Sequence, residues 1–214
     1  KKIQGAEAGD GQLTPGGIQI GHGSRPVSTS KVFTTGDLVQ TDERLDMAIA
    51  GAGFFEVQMP GGFQGYTRDG SFKVSADGAV VTNEGYQVVN AIPNIGAEVS
   101  NIAISKTGEY TLFDQQGQNI GAGQIQTTRF INPSGLQNIG GNIYQETPAS
   151  GVPEQGNPGQ NGFGELAQGY LEMSNVKVVE EMVNLIKAQR AYEVNSKAIQ
   201  AADEMMQRSN QIKR

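Results

Sequence analysis

The chain has 214 residues, with 30 glycines, 8 prolines and no cysteine, and its 22 acidic against 16 basic side chains give a formal net charge of −6. The absence of cysteine excludes disulfides, thiol catalysis and cysteine-ligated zinc. The acidic balance, and the lack of any apolar run of about 18 residues, argue against nucleic-acid binding and against insertion into a membrane.

The composition changes abruptly near residue 170. Every glycine and proline lies before Tyr170, and the 45 residues from there to the end contain neither. Two kinds of structure are therefore expected in one chain, a turn-rich part followed by a helical tail. Taken in chain order, the predicted segments are an extended arm or linker (1–25), an antiparallel β domain (26–145), a return connection (146–173) and a C-terminal coiled-coil helix (174–214).

The first two segments differ in their spacing of turn residues. Residues 1–25 contain seven glycines, too closely spaced for a helix or strand pattern to persist between them. Beyond them, short β-type runs alternate with turn pairs, as at Asp77-Gly78, whose glycine supplies the positive φ of a tight hairpin. This pattern predicts a mainly β fold, a sandwich or open barrel with hairpins. The predicted runs are 54–59, 71–74, 79–82, 86–89, 99–104, 109–113 and 123–130.

The tail has the composition of a long helix. Ser174 or Asn175 is the expected N-cap, and about 35 residues at 1.5 Å each give a helix of about 50 Å. Apolar residues recur every seven positions, and a second set follows the later members by three, which is the a/d pattern of a coiled coil. The predicted seam consists of Val178, Leu185, Ala188, Tyr192, Asn195, Ile199, Ala202 and Met206.

The seam predicts a partner helix from outside this sequence. Packing of the helix on its own β domain is the alternative, but a helix of about 50 Å would overhang a domain about 35–40 Å across. Asn195 within the seam is typical of a polar residue that sets the register of a coiled coil.

No pattern in the chain predicts catalysis, a metal site or a cofactor. Residues 51–53 resemble a phosphate loop but lead into a strand and lack a lysine, so a turn or bulge is expected. His22 has no second histidine to accompany it, and no serine or acidic residue lies near it in a recognisable catalytic order. These absences disfavour a triad or a metal site. A hydrolase that uses two carboxylates remains an alternative, although the chain has no tryptophan for sugar stacking. Its candidate acids would be Asp46, Glu56, Asp69 and Glu84.

Several motifs resemble a known family. Residues 45–55, 66–72 and 83–86 are similar to the core of the bacterial flagellar axial proteins that form rod and hook, and residues 169–199 are similar to that family's C-terminal helix. Residues 130–136 and 190–193 are most like the distal rod branch. The chain has no room for the outer domain that hook proteins carry, and the family's N-terminal helix has no counterpart in it.

The resemblance implies a structural role. Such a protein would be a subunit of the distal rod, assembling helically into a hollow drive shaft that carries torque to the hook, with N- and C-terminal helices lining the tube. Its partners would be other copies, adjacent rod and hook proteins, and the surrounding P- and L-ring proteins. The rod would span the periplasm, and its subunits would be exported by the flagellar secretion apparatus without a cleaved signal peptide. An extracellular or phage-like fibre or adhesin module, trimerised by the tail, is the alternative.

Overall fold

The computed structural model describes residues 25, 27 and 29–212, apart from the side chains of 210 and 212, and the strand backbones of 7–8 and 12–13. The chain divides into two units, Lys1–Val32 and Phe33–Arg214. Within the first, β1 (Glu7–Ala8) pairs antiparallel with β2 (Gln12–Leu13). Apart from residue 25, the rest of the predicted arm, including His22, lies outside the described residues.

The second unit is mainly antiparallel β structure followed by a long C-terminal helix, which confirms the predicted fold class. The strands of its first half are β3 (Leu38–Gln40), β4 (Met47–Ala50), β5 (Phe55–Gln58), β6 (Gln64–Thr67), β7 (Lys73–Val74), β8 (Val80–Val81), β9 (Gln87–Val89), β10 (Asn101–Ile104) and β11 (Glu109–Phe113). They are followed by β12 (Asn119–Gln124), β13 (Thr127–Arg129), a 3-10 turn (Pro133–Gly135), β14 (Gln137–Gly140), β15 (Ile143–Gln145), β16 (Glu154–Gly156), β17 (Glu165–Gln168), β18 (Tyr170–Glu172) and helix α1 (Val178–Ile212).

A seven-stranded sheet forms the largest layer of this unit, in the order β14-β15-β6-β5-β9-β8-β7. A three-stranded sheet, β10-β11-β12, contributes to the same core, and so does the pair β17-β4 through Met47, Ile49 and Leu166. The pair β18-β3 lies outside this core. Because successive side chains of a strand point to opposite faces, Phe55 and Val57 enter the main core while Phe54 enters a second cluster with Tyr66 and Phe130.

The predicted hairpins form where turn residues lie between alternating runs. Lys73 pairs with Val81 across the turn at Gly78, whose φ is +81°. Strand β11 has the predicted bounds, 109–113. The predicted run 123–130 is instead divided between β12 and β13, because the chain passes from one sheet to another at Ile125, which is fully buried.

The segment 146–173, expected to be a connection, contains three short strands. Two of them return to the beginning of the unit: β17 pairs with β4, and β18 pairs with β3. The third, β16, pairs with β13. Their sequences are short and largely polar, so they carry little hydrophobic periodicity. The returning strands bring the chain that leads into α1 against the residues that open the unit.

Candidate assembly interface

Helix α1 begins shortly after β18, and local hydrogen bonds fix the segment between them. We call this segment, residues 173–177, the helix root. The helix starts at Val178, and the first helical hydrogen bond runs from the Glu181 amide to the Lys177 carbonyl, 3.1 Å. Glu180 and Glu181 lie in its first turn, where acidic side chains interact favourably with the helix dipole. The helix spans 35 residues, as expected from the composition of the tail.

The predicted N-caps lie outside the helix because their side chains are used elsewhere. The Asn175 side-chain amide donates to the carbonyl and the hydroxyl of Thr34, at 3.1 and 2.9 Å. The Ser174 hydroxyl accepts from the Val176 amide at 3.2 Å. These bonds shape the link between β18 and α1, and the helix begins two to three residues later than predicted.

The predicted seam lies on one face of α1 and faces solvent. Within each of its two sets the members are seven residues apart, so each set recurs about every 10.5 Å along the axis at 1.5 Å per residue. Leu185 and Ile199 are each 64 % exposed and Tyr192 is 77 % exposed. Of the helix side chains that the structure describes, every one except Ser196 is exposed. The seam therefore has no cover from the described part of this chain.

A second apolar set near the helix start was not predicted. Val179, Met182, Val183 and Ile186 are all exposed and follow the spacing i, i+3, i+4, i+7, which places them on one face beside the seam. Glu181 occupies the position where the a/d pattern would require an apolar residue. The first two turns therefore have a broader apolar face than the rest of the helix, a signal available from the sequence once the heptad register is set aside.

Arg68 is the polar centre next to the helix root. Its guanidinium donates to the carbonyl oxygens of Ile49, Gly51 and Gly53, at 3.0 to 3.1 Å, and two of its nitrogens contact Glu172 Oε2 at 2.7 and 2.9 Å. The turn at residues 51–53 thus presents carbonyl oxygens to a cation instead of amide groups to a phosphate. It leads into a strand, as the sequence predicted.

Glu172 connects Arg68 to the first residues of the second unit, near Gly36. Its second oxygen, Oε1, accepts from the Gly36 amide at 2.9 Å, and the Met173 amide donates to the Asp37 carbonyl at 2.9 Å. Gly36 approaches so closely that a Cβ there would lie 1.9 Å from the Met173 carbonyl oxygen. Only glycine fits this contact without movement of the backbone.

A second buried cluster lies beside Arg68. Phe54, Tyr66, Phe130 and Leu136 form it, and the rings of Tyr66 and Phe130 meet edge to face with centroids 4.8 Å apart. Burial, then the nearby carboxylates of Glu56 and Glu146, raise the pKa of Tyr66 to about 12. The phenol therefore stays neutral in this cluster throughout the physiological range.

Three of the four carboxylates named for the hydrolase alternative accept hydrogen bonds within the structure. Asp46 accepts from the Thr41 hydroxyl at 2.6 Å, and Asp69 accepts from the Ser71 amide in a local turn. Glu56 is buried and accepts from the Gln155 side chain at 2.7 Å. Glu84 is exposed. Among the described residues, no group of three or more His, Cys, Asp or Glu side chains could hold a metal ion.

Two family models match the chain at the regions just described. The model for the flagellar hook protein FlgE/F/G D1 domain matches residues 48–112, which include Arg68 and the central hairpins. The model for the flagellar basal body rod FlgEFG protein C-terminal region matches residues 167–212, which include β18 and α1. No helix in the described part of the chain has the length and apolarity needed to cross a membrane.

Curated relatives align along most of the chain. The flagellar basal-body rod protein FlgG of Buchnera aphidicola subsp. Acyrthosiphon pisum is 49 % identical over 199 residues, which cover 92 % of this chain and 76 % of the relative. The FlgG of Borreliella burgdorferi is 45 % identical over 212 residues, covering 98 % and 80 %. That of Bacillus subtilis is 36 % identical over 200 residues, covering 92 % and 75 %. The chain therefore belongs to the FlgG family of flagellar basal-body rod proteins and is a structural subunit of the distal rod.

Proposed function

We propose that the exposed seam of α1 is the face through which this rod subunit assembles, with a partner helix packing along it. The observation that carries the proposal is an apolar heptad pattern that remains open to solvent over most of a 35-residue helix. A helix gains most of its stability in proteins by burying such a face. In this arrangement Ala188 and Ala202 allow close approach of the partner, and Asn195 sets the register.

The proposed assembly is a helical polymer of this chain, forming a hollow shaft that transmits torque from motor to hook. Head-to-tail contacts that do not close generate such a helical tube, whereas the three-fold coiled coil of a fibre or adhesin would close on itself. The family assignment favours the rod and gives the adhesin alternative no support. The β domain (26–145) and the connection (146–173) would support the helix (174–214) from outside the tube.

The proposed partners are adjacent rod and hook proteins and the P- and L-ring proteins around the shaft. The location that fits them is the periplasmic part of the basal body, reached through the flagellar secretion apparatus without a cleaved signal peptide. We further propose that the role is mechanical and that the chain catalyses no reaction. The hydrogen bonds accepted by Asp46, by Asp69 and by one oxygen of Glu56 support this proposal, because these atoms already have structural partners.

The experiment that tests the seam introduces a charge into it. Ile199→Asp, in the full-length protein and in a strain lacking its own copy, should abolish the rod and motility, because an aspartate in a packed seam would be a buried unpaired charge. Gln200→Asp is the matched control, since Gln200 is exposed and outside the seam, and it should retain both. Rods of normal number and length with Ile199→Asp would refute the proposal. Closed trimers in electron micrographs would favour the adhesin alternative.

A further inference from the structure

We infer that Arg68 and Glu172 form a latch that fixes the root of α1 on the β structure, so that the seam is presented in a defined direction. The inference rests on the proposed use of the seam in assembly. It assigns to the pair a positioning role that the family membership does not give. The latch consists of the Arg68 guanidinium, the Glu172 carboxylate and the Gly36 amide.

The latch occupies the end of β18 nearest the helix. Glu172 is the last residue of that strand, and only residues 173–177 separate it from the helix start at Val178. The strand is held to β3 by a ladder of three residue pairs, Tyr170 with Gln40, Leu171 with Val39 and Glu172 with Leu38. A ladder this short, between strands that are at most half-buried, leaves its end dependent on other contacts.

Arg68 supplies that contact with nearly all of its hydrogen-bonding capacity. Three of its donor contacts reach carbonyl oxygens around the β4–β5 turn, and the remainder reach Glu172. A guanidinium held in this way has a fixed plane and a fixed position, unlike an ammonium on a flexible stem. The side chains of Arg68 and Glu172 are only 14 % and 11 % exposed, so solvent screens their attraction weakly.

Glu172 extends the latch to the residues that open the unit. One carboxylate oxygen accepts from Arg68 and the other from the Gly36 amide. The Glu172 side chain therefore joins the end of β18 both to Arg68, just after β6, and to Gly36, just before β3. Both oxygens face donors. A glutamine at 172 would retain the shape but would present an N–H group to one of these donors.

The contrast with the Lys106–Glu165 ion pair supports a specific role. Lys106 and Glu165 approach only to 3.6 Å, with side chains 81 % and 56 % exposed. Exposed ion pairs of that kind contribute little to the free energy of folding. Glu165 is therefore a matched control position. Glu165→Gln makes the same chemical change on strand β17, outside the latch.

The test measures the position of the helix in the isolated chain. Because this sequence has no cysteine, spin labels attach only at introduced sites, here Ala103→Cys at an exposed position of β10 and Lys187→Cys on α1. Electron–electron resonance should give one narrow distance distribution for the parent. Glu172→Gln and Arg68→Lys should widen it at least two-fold, and Glu165→Gln should leave it unchanged.

Thermal melting of the β structure separates positioning from folding. For Glu172→Gln we expect the wider distribution with a melting temperature within a few degrees of the parent, whereas a merely structural residue would lower the melting temperature and leave the distribution narrow. Equal widths in the folded parent, Glu172→Gln and Arg68→Lys would overturn the latch, even if seam variants block assembly. A wider distribution together with normal assembly of seam variants would instead refute the proposed use of the seam.

Discussion

Truncation of Leu185, in the N-terminal half of the seam, should separate assembly from folding. Leu185 is 64 % exposed in the isolated chain, so only about a third of its surface is already covered there. Full burial of a leucine is worth about 1.5–3 kcal/mol, so Leu185→Ala should cost the isolated chain roughly 0.5–1 kcal/mol. Leucine and alanine both favour helix, so the helix itself should persist.

The cost in the assembled rod should be much larger. Covering the rest of Leu185 is worth roughly 1–2 kcal/mol from area, and the cavity left in a packed interface raises the total to about 2–4 kcal/mol per subunit. That loss corresponds to a decrease of about 30- to 1,000-fold in the association constant of each subunit. Because every subunit of the polymer carries the change, Leu185→Ala should abolish rods and motility. Ile199→Ala should do the same.

Rods counted in isolated basal bodies, swimming in soft agar and melting of the β structure by circular dichroism are the three measurements. Gln200→Ala is the control, since Gln200 is polar, exposed and outside the seam. This variant should assemble. The reasoning would be refuted if Leu185→Ala lowered the melting temperature of the β structure by many degrees yet still assembled, because the helix would then pack on its own unit.

Three further predictions concern the β structure. Tyr66 should ionise only near pH 12, so stability is complete below pH about 10 and decreases as the pH rises from 10 to 12; absorbance at alkaline pH should show this late step, and Tyr66→Phe should remove it. Gly36→Ala should lower the free energy of unfolding by about 1–3 kcal/mol, because its Cβ would meet the Met173 carbonyl, whereas Gly96→Ala, with open space around it, should change it by less than about 0.5 kcal/mol in denaturant titrations. EDTA should not alter the melting temperature; a shift of several degrees would reveal a metal site.

Local signals made part of the fold predictable. The hairpin at Gly78, strand β11 and the long helix each depend on residues close together in sequence, a turn pair, an alternating run or a composition without glycine and proline. Strand β4 gave no such signal because Met47, Ala48 and Ile49 are all buried, so the two-residue alternation disappears. Its pairing with β17 joins residues more than a hundred positions apart, which no local pattern indicates.

For the candidate interface too, local sequence patterns indicated some features, and contacts distant in sequence determined the others. The seam is a prediction from a seven-residue repeat, and the structure adds that its large apolar residues are exposed. Arg68 appeared in the sequence only within a motif of the family resemblance, because its partner Glu172 lies 104 residues away. The helix start was misplaced because Asn175, a good N-cap by type, bonds to Thr34 instead. Contacts distant in sequence thus account for what the patterns missed.

The accessibility of the seam in assembled rods tests the central claim most directly. Ala202→Cys places a thiol in the seam with little change in size, and Lys197→Cys places one on the opposite face of the same helix; both positions are exposed in the isolated chain. In isolated protein the two thiols should react with a maleimide at similar rates. In assembled basal bodies we expect the thiol at 202 to react at least ten-fold more slowly than in isolated protein, and more slowly than the thiol at 197. Equal reactivity of the thiol at 202 in isolated and assembled protein would contradict the account.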